Sequence, residues 1–495
     1  MEVRPENVHP LDIRYNVINW VHRSTRGWST GGSVTDPRTG EIIKGVVTLG
    51  SLRVRQDYLI AEGLLQPYKT GTEVSTEARE WALARMRQLA AHEVGHTLGL
   101  GHNYYDSDAG RISVMDYPHP LVTLKPDGSL DISKVYDVGI GSWDKVSIAY
   151  GYQDFTPGTD EKAALASILD TAWQKDIKYM TNQDMDANPR VDWWSNGTDA
   201  GAELVRMMDV RRAALSRFGE AAIQKGAPMA TIEEALVPLY MHHRYQVEAA
   251  ASVLGGQHYI YAMRGDGRVP TKPASAAEQK RAFDALLTTL KPSELKIPES
   301  VLKLIPPRPT GYAMHRELFP RFTGPTFDAI SPAVVAADLT LSFLFDSQRA
   351  ARMVEQKSLD AALPGFDDVV NDVVKATFGA QTTSSYEAEI ARSIERVVVD
   401  RLMDAVVDAR MPQVRAAAQA ALNNIVRMGG SDPNRALMAA DIERFKERPL
   451  AAPMATTQVA PPGAPIGEPS MNFLARVLEP YCSQDTLAFG LLGGR

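Results

Sequence analysis

The sequence predicts an α+β fold: a twisted sheet with one long helix in the first third, then a mostly α-helical region. Three observations predict it. Residues 12–60 are rich in strand-forming side chains, the pattern turns helical after Gly71, and helical periodicity recurs downstream as far as about residue 448.

The elements follow in order. DIRYNVINWV, residues 12–21, is a β-rich run. SVTDPRTGEIIKGVVTL has two strand-like arms around Asp36-Pro37-Arg38-Thr39-Gly40. Pro37 suits the first turn position and Gly40 can take positive φ, so the segment reads as a hairpin. Past Gly71, Ser75 can cap a helix, Glu77 and Glu80 suit its positive end, and Leu83, Met86, Leu89 and Ala90 give it an apolar stripe. Asp144 and Lys145 open another helix, ending near Tyr152. Helical periodicity then returns in AGAELVRMMDVRRAALSRF, TIEEALVPLYMHHRYQVEAAASVL, SYEAEIARSIERVVVDRLMDAVVDAR and PQVRAAAQAALNNIVRM. No fixed repeat length links them, so a regular solenoid is not expected. Residues 449–469 hold six prolines and read as an extended linker. The expected organisation is a first unit over 1–155, a helical region over 156–448, and a Pro-rich linker and tail over 449–495.

Composition narrows the function. Of 495 residues, 44% are hydrophobic and 23% charged, which is ordinary for a globular chain. A net charge of −7 argues against nucleic acid as a partner. Cys482 stands alone, so no intrachain disulfide can form. No apolar run reaches 18 residues, so no membrane span is expected. The first residues carry no signal-peptide core.

The chemistry concentrates in AAHEVGHTLGLGHNYY, residues 90–105. His92 and His96 are four apart, so on a helix they share one face and can hold one ion. Glu93 projects about 100° round, beside that ion. His102 is a further six residues on, and a continuing helix would carry it about 15 Å from His92. Nitrogens on one tetrahedral zinc lie about 2.0–2.1 Å from the metal, so the helix must stop and double back. Gly99 is placed to permit this as a left-handed helix cap. Three neutral ligands leave the fourth position of Zn²⁺ open, the pattern of a catalytic rather than a closed structural site.

These residues resemble a known family. HEVGHTLGLGH matches the metzincin signature H-E-x-x-H-x-x-G-x-x-H at every fixed position. Ser113-Val114-Met115-Asp116-Tyr117-Pro118 resembles the methionine turn that lies under a metzincin metal, with Met115 thirteen residues past His102. The stretch from IRYNVINWVHRSTRGWS to beyond that turn is similar to a bacterial metzincin-like family of zinc-dependent metalloproteases, long catalogued as a domain of unknown function. Metzincin domains begin with a strand and a long helix ahead of the sheet, whereas about eleven residues precede DIRYNV here. By this comparison the catalytic domain lacks its N-terminal part. Asn103 follows the third histidine, where better-known metzincin families have other residues, so no subfamily is assigned.

The resemblance implies a zinc endopeptidase acting on protein or peptide substrates. Zinc would lower the pKa of a bound water and polarise the scissile carbonyl. Glu93 would take the water proton and pass it to the leaving amine. Met115 would be an apolar floor rather than a ligand. Tyr117, two residues after the methionine, would help stabilise the oxyanion, as in astacin-like and serralysin-like metzincins. Family members usually carry an export signal, which implies a periplasmic or extracellular site of action. Two rival readings stand beside this one: a zinc hydrolase of a non-protein amide, such as a cell-wall linkage, and a binding protein that keeps the fold without activity.

Other motifs read as structural. Asp106-Ser107-Asp108-Ala109-Gly110 lacks the rest of a calcium loop, and Asp184, Asp186 and Asn188 have Pro189 where a loop glycine would be needed. Adjacent His242 and His243 would point about 100° apart on a helix and share no metal. Trp193 and Trp194 are expected to pack in a core.

Overall fold

The computed structural model describes residues 3–22, 29–71, 75–193, 196–449 and 460–461. The first strands are β1 (Val17–Val21), β2 (Thr30–Thr35) and β3 (Ile42–Gly50). They form one sheet in the order β1-β3-β2, with β1 parallel and β2 antiparallel to β3. The β2–β3 hairpin closes as its residues dictate. Gly40 sits at φ 78°, its N–H bonds the Asp36 carbonyl at 2.8 Å, and Asp36 Oδ1 accepts from the Arg38 N–H.

The expected β character stops short of residue 60. Leu52–Leu65 is a helix, α1, not strand. Its buried Leu52, Gln56, Ile60 and Leu64 recur every four residues, a helical face masked in the sequence by β-branched and aromatic neighbours.

The long helix α2 spans Thr76–Thr97, with the Ser75 side chain accepting from the Ala78 N–H. Trp81, Ala82, Met86 and Leu89 are buried. Val47 and Leu49 of β3 pack on Met86 and Leu89, so the sheet lies on α2. A helix over Ser142–Tyr152, α3, follows the loop after the histidines.

The remainder is mainly helical: α4 (Glu161–Gln174), α5 (Ala200–Leu215), α6 (Ile232–Tyr240), α7 (Arg244–Ser252), α8 (Ala276–Thr288), α9 (Ser331–Leu344), α10 (Ser347–Leu359), α11 (Phe366–Phe378), α12 (Ser385–Asp408), α13 (Pro412–Met428) and α14 (Pro433–Glu447). The stretch expected as one helix over 231–254 is two, broken between Tyr240 and Arg244. Pro238 removes one helical N–H in the last turn of α6. The helix α9 is buried almost all round and forms the middle of the core. That core also takes in Ile60, Ala61 and Leu64 of α1 and Trp81 of α2. Gly63 makes the contact close: a Cβ there would lie 2.6 Å from the Ala235 carbonyl oxygen of α6. Among the described residues no helix is long and apolar enough to cross a membrane. The linker expected over 449–469 and the tail beyond it lie almost wholly outside the described residues.

Candidate metal centre

The centre is built at the C-terminal end of α2. The helix ends at Thr97 and Gly99 takes φ 81°. The Leu100 N–H bonds the Gly95 carbonyl at 3.1 Å and the Gly99 N–H bonds the His96 carbonyl at 3.0 Å. This paired pattern is the Schellman termination, which turns the chain back with its last carbonyls satisfied. The reversed chain returns His102 to the face carrying His92 and His96.

The three rings then meet. His96 Nε2 lies 3.0 Å from His92 Nε2 and 3.2 Å from His102 Nε2. Among the described residues these three are the one group of three or more His, Cys, Asp or Glu side chains close enough to share a metal ion. Nitrogens about 2.0–2.1 Å from one tetrahedral ion stand about 3.3 Å apart, close to the spacing found here.

The donor chemistry points the same way. Each ring's other nitrogen, Nδ1, faces an oxygen that can only accept: the Val114 carbonyl at 2.7 Å, the Leu100 carbonyl at 2.8 Å, and Asn182 Oδ1 at 3.2 Å. Each Nδ1 must therefore carry the proton, which leaves three Nε2 lone pairs converging on one point, the one on His102 also accepting from the Tyr117 hydroxyl. Burial, and then the neighbouring histidines, hold His92 well below the usual imidazole range and bring His102 down to about 4. Protonation of His92 and His102 is therefore disfavoured near neutrality, whereas a cation would engage all three rings. His92 is buried, while His96 and His102 are half-buried, so the centre opens on their side.

Met115 lies directly beneath. It is fully buried, and its Sδ would be 2.3 Å from a Cβ placed on Gly95. Only glycine at this position of HEVGH lets the helix settle on the methionine. The turn that presents Met115 is tied down by Asp144 of α3. Asp144 accepts from the Ser113 hydroxyl at 2.6 Å, the Val114 N–H at 2.9 Å and the Gly141 N–H at 2.6 Å.

Tyr117 is buried against the centre, and its hydroxyl donates to His102 Nε2 at 2.8 Å. Its ring stacks on Trp193 at 5.8 Å and 26°. Trp193 is thus a core residue behind the site, and Trp194 lies outside the described residues. Glu93 is buried on α2 between the first two histidines. Its backbone carbonyl faces β2, where a Cβ on Gly31 would come within 2.0 Å of the oxygen. The edge strand therefore crosses α2 at the glutamate, an approach only glycine permits.

The remaining motifs are committed elsewhere. Arg190 reaches Asp108 at 3.5 Å and Asp176 at 3.0 Å, and the Asp108 N–H also bonds Asp176. Asp184 accepts from the Tyr259 and Tyr261 hydroxyls, and Asp186 pairs with Arg349 and Arg352. His242 and His243 are buried in the break between α6 and α7. Two residues near the centre, Asp144 and Asn182, were missed in the sequence. Both lie far along the chain from the groups they hold, and neither belongs to a motif.

A centre of this form is of the metzincin-like class, in which a helix, a glycine reversal and a methionine turn enclose three histidines. The family comparison agrees. Residues 75–385 match the family model described as Met-zincin, and the chain belongs to that family, catalogued as a domain of unknown function. No curated protein and no solved structure matches the chain.

Proposed function

We propose that this chain is a zinc-dependent endopeptidase in which His92, His96 and His102 hold the metal and Glu93 is the general base. The observation that carries the reading is the convergence of three histidine Nε2 atoms at the end of a helix whose next residue after His92 is the buried Glu93. Zinc held there would acidify a bound water and polarise the scissile carbonyl. Glu93 accepts the water proton as the oxygen attacks the carbonyl carbon, then returns it to the leaving nitrogen as the C–N bond breaks. Tyr117 offers its hydroxyl to the oxygen on which negative charge develops. Met115 takes no part in proton transfer and packs the floor.

The sheet edge supports a peptide substrate. Among the described residues β2 pairs only with β3, so its outer edge is open to an extended chain. That edge passes over Glu93. In this proposal residues 1–155 supply the zinc unit, 156–448 the helical region that supports it, and 449–495 a linker and tail. Action outside the cytoplasm is carried over from the resemblance alone.

Glu93→Gln tests the proposal. The variant should keep zinc and lose nearly all turnover of a quenched peptide, because an amide cannot accept the proton at neutral pH. Turnover within a few fold of the parent would remove Glu93 as the base. A parent that binds zinc yet cleaves neither peptide nor casein would favour the binding-protein reading.

A further inference from the structure

Each of the three histidines is held from behind, but not by the same kind of group. The acceptors for His92 and His96 are main-chain carbonyls, Val114 in the methionine turn and Leu100 in the glycine reversal. His102 alone is held by a side chain, Oδ1 of Asn182, eighty residues further on. Asn182 starts a single 3₁₀ turn, Asn182–Asp184, between α4 and α5.

That turn is itself fixed on two sides. Asp184 accepts from the Thr181 N–H at 2.8 Å and from the hydroxyls of Tyr259 and Tyr261 at 2.9 and 2.5 Å. On the histidine side, the Tyr104 N–H bonds the Met180 carbonyl at 2.8 Å. Asn103, the residue after the third histidine, donates to the Lys178 carbonyl at 2.9 Å and accepts from the Met180 N–H at 3.1 Å. The Tyr179 hydroxyl also reaches Gly101, 2.8 Å from where a Cβ would lie. Residues 178–182 thus run alongside residues 101–104 behind the His102 ring.

We propose that Asn182 is a positioning residue for the third metal ligand, held in register by the Asn103 clamp. Its carbonyl oxygen fixes the proton of His102 on Nδ1 and sets the ring plane, so that Nε2 faces the other two nitrogens. The inference rests on the proposed zinc set. It makes metal affinity depend on a segment outside the histidine motif but inside the span that matches the family model. Outer partners of this kind typically change metal affinity by about 10–100-fold. Asn182 is exposed, so its side chain adds little to the packing of the metal-free protein.

The test uses the full chain and zinc alone, with affinity measured by competition against a chromophoric chelator. The parent should bind one equivalent. Asn182→Ala should bind about 10–100-fold more weakly, while the metal-free melting temperature stays at the parent value. Asn182→Asp, which keeps an acceptor oxygen towards Nδ1, should restore affinity to within a few fold of the parent or better. Equal affinity of the Ala variant and the parent would overturn the assignment. So would a loss that Asp does not rescue and that follows a fall in metal-free melting, since Asn182 would then be merely structural. A parent that binds no zinc would overturn the zinc set itself, a result distinct from either.

Discussion

Replacing Gly95 by alanine sets two physical terms against each other at the heart of the centre. Gly95 is inside α2, three residues after His92 and directly before His96. On helix propensity alone, the change should stabilise by about 1 kcal/mol. The new Cβ, however, would lie 2.3 Å from Met115 Sδ and 3.3 Å from its Cε. Carbon atoms in good contact stand about 3.5–4.0 Å apart. Met115 is fully buried and cannot swing into solvent. Overpacking of a closed core costs about 1–3 kcal/mol, and an intrusion of more than about 1 Å belongs at the upper end. The net expectation is a loss of about 1–2 kcal/mol, with weaker zinc binding because α2 must lift between two of its ligands. Melting of the metal-free protein and chelator competition measure both effects. The same substitution in a Met115→Ala background should instead stabilise by about 1 kcal/mol, the helix-propensity gain alone, giving a coupling energy of about 2–3 kcal/mol. If Gly95→Ala alone melts higher than the parent and binds zinc equally well, the packing of helix on methionine described here is wrong.

Two further outcomes follow from the surroundings of the centre. Tyr117→Phe should keep the fold and zinc but lower kcat roughly a hundredfold with little change in KM, the usual cost of one oxyanion donor; near-normal kcat with a stability loss of about 1 kcal/mol would leave the hydroxyl a structural role only. Asp144→Ala should destabilise by about 2–4 kcal/mol, because the Val114 and Gly141 N–H groups both lose their acceptor. A melting curve within error of the parent would show that Asp144 does not hold the methionine turn.

The candidate metal centre was the most legible part of the chain, because its spacing leaves few geometric solutions. His92 and His96 had to share a helical face, and His102 could join them only through a reversal at Gly99. The cap at Ser75 and the turn at Asp36–Gly40 were also readable, since each rests on local hydrogen bonds and allowed dihedrals. Legibility failed where tertiary packing decided. Val54, Tyr58 and Ile60 gave α1 a strand-like composition, although the face it buries is helical. The break after Tyr240 places His242 and His243 in the core, with the His242 ring 4.7 Å from that of His119. Asn182 carries no local signal and Asp144 signals only the start of a helix, because the groups they hold at the centre are tens of positions away. The approaches of Gly31 to Glu93 and of Gly95 to Met115 were likewise invisible until the elements were placed.

A zinc titration of turnover asks whether the three histidines and Glu93 make a zinc-dependent peptidase. Metal-free protein would be titrated with zinc while cleavage of a quenched peptide is followed. Activity should rise linearly and level off at one equivalent per chain. Turnover that persists in the metal-free protein, or fails to appear once one zinc is bound, would rule out a zinc-dependent peptidase.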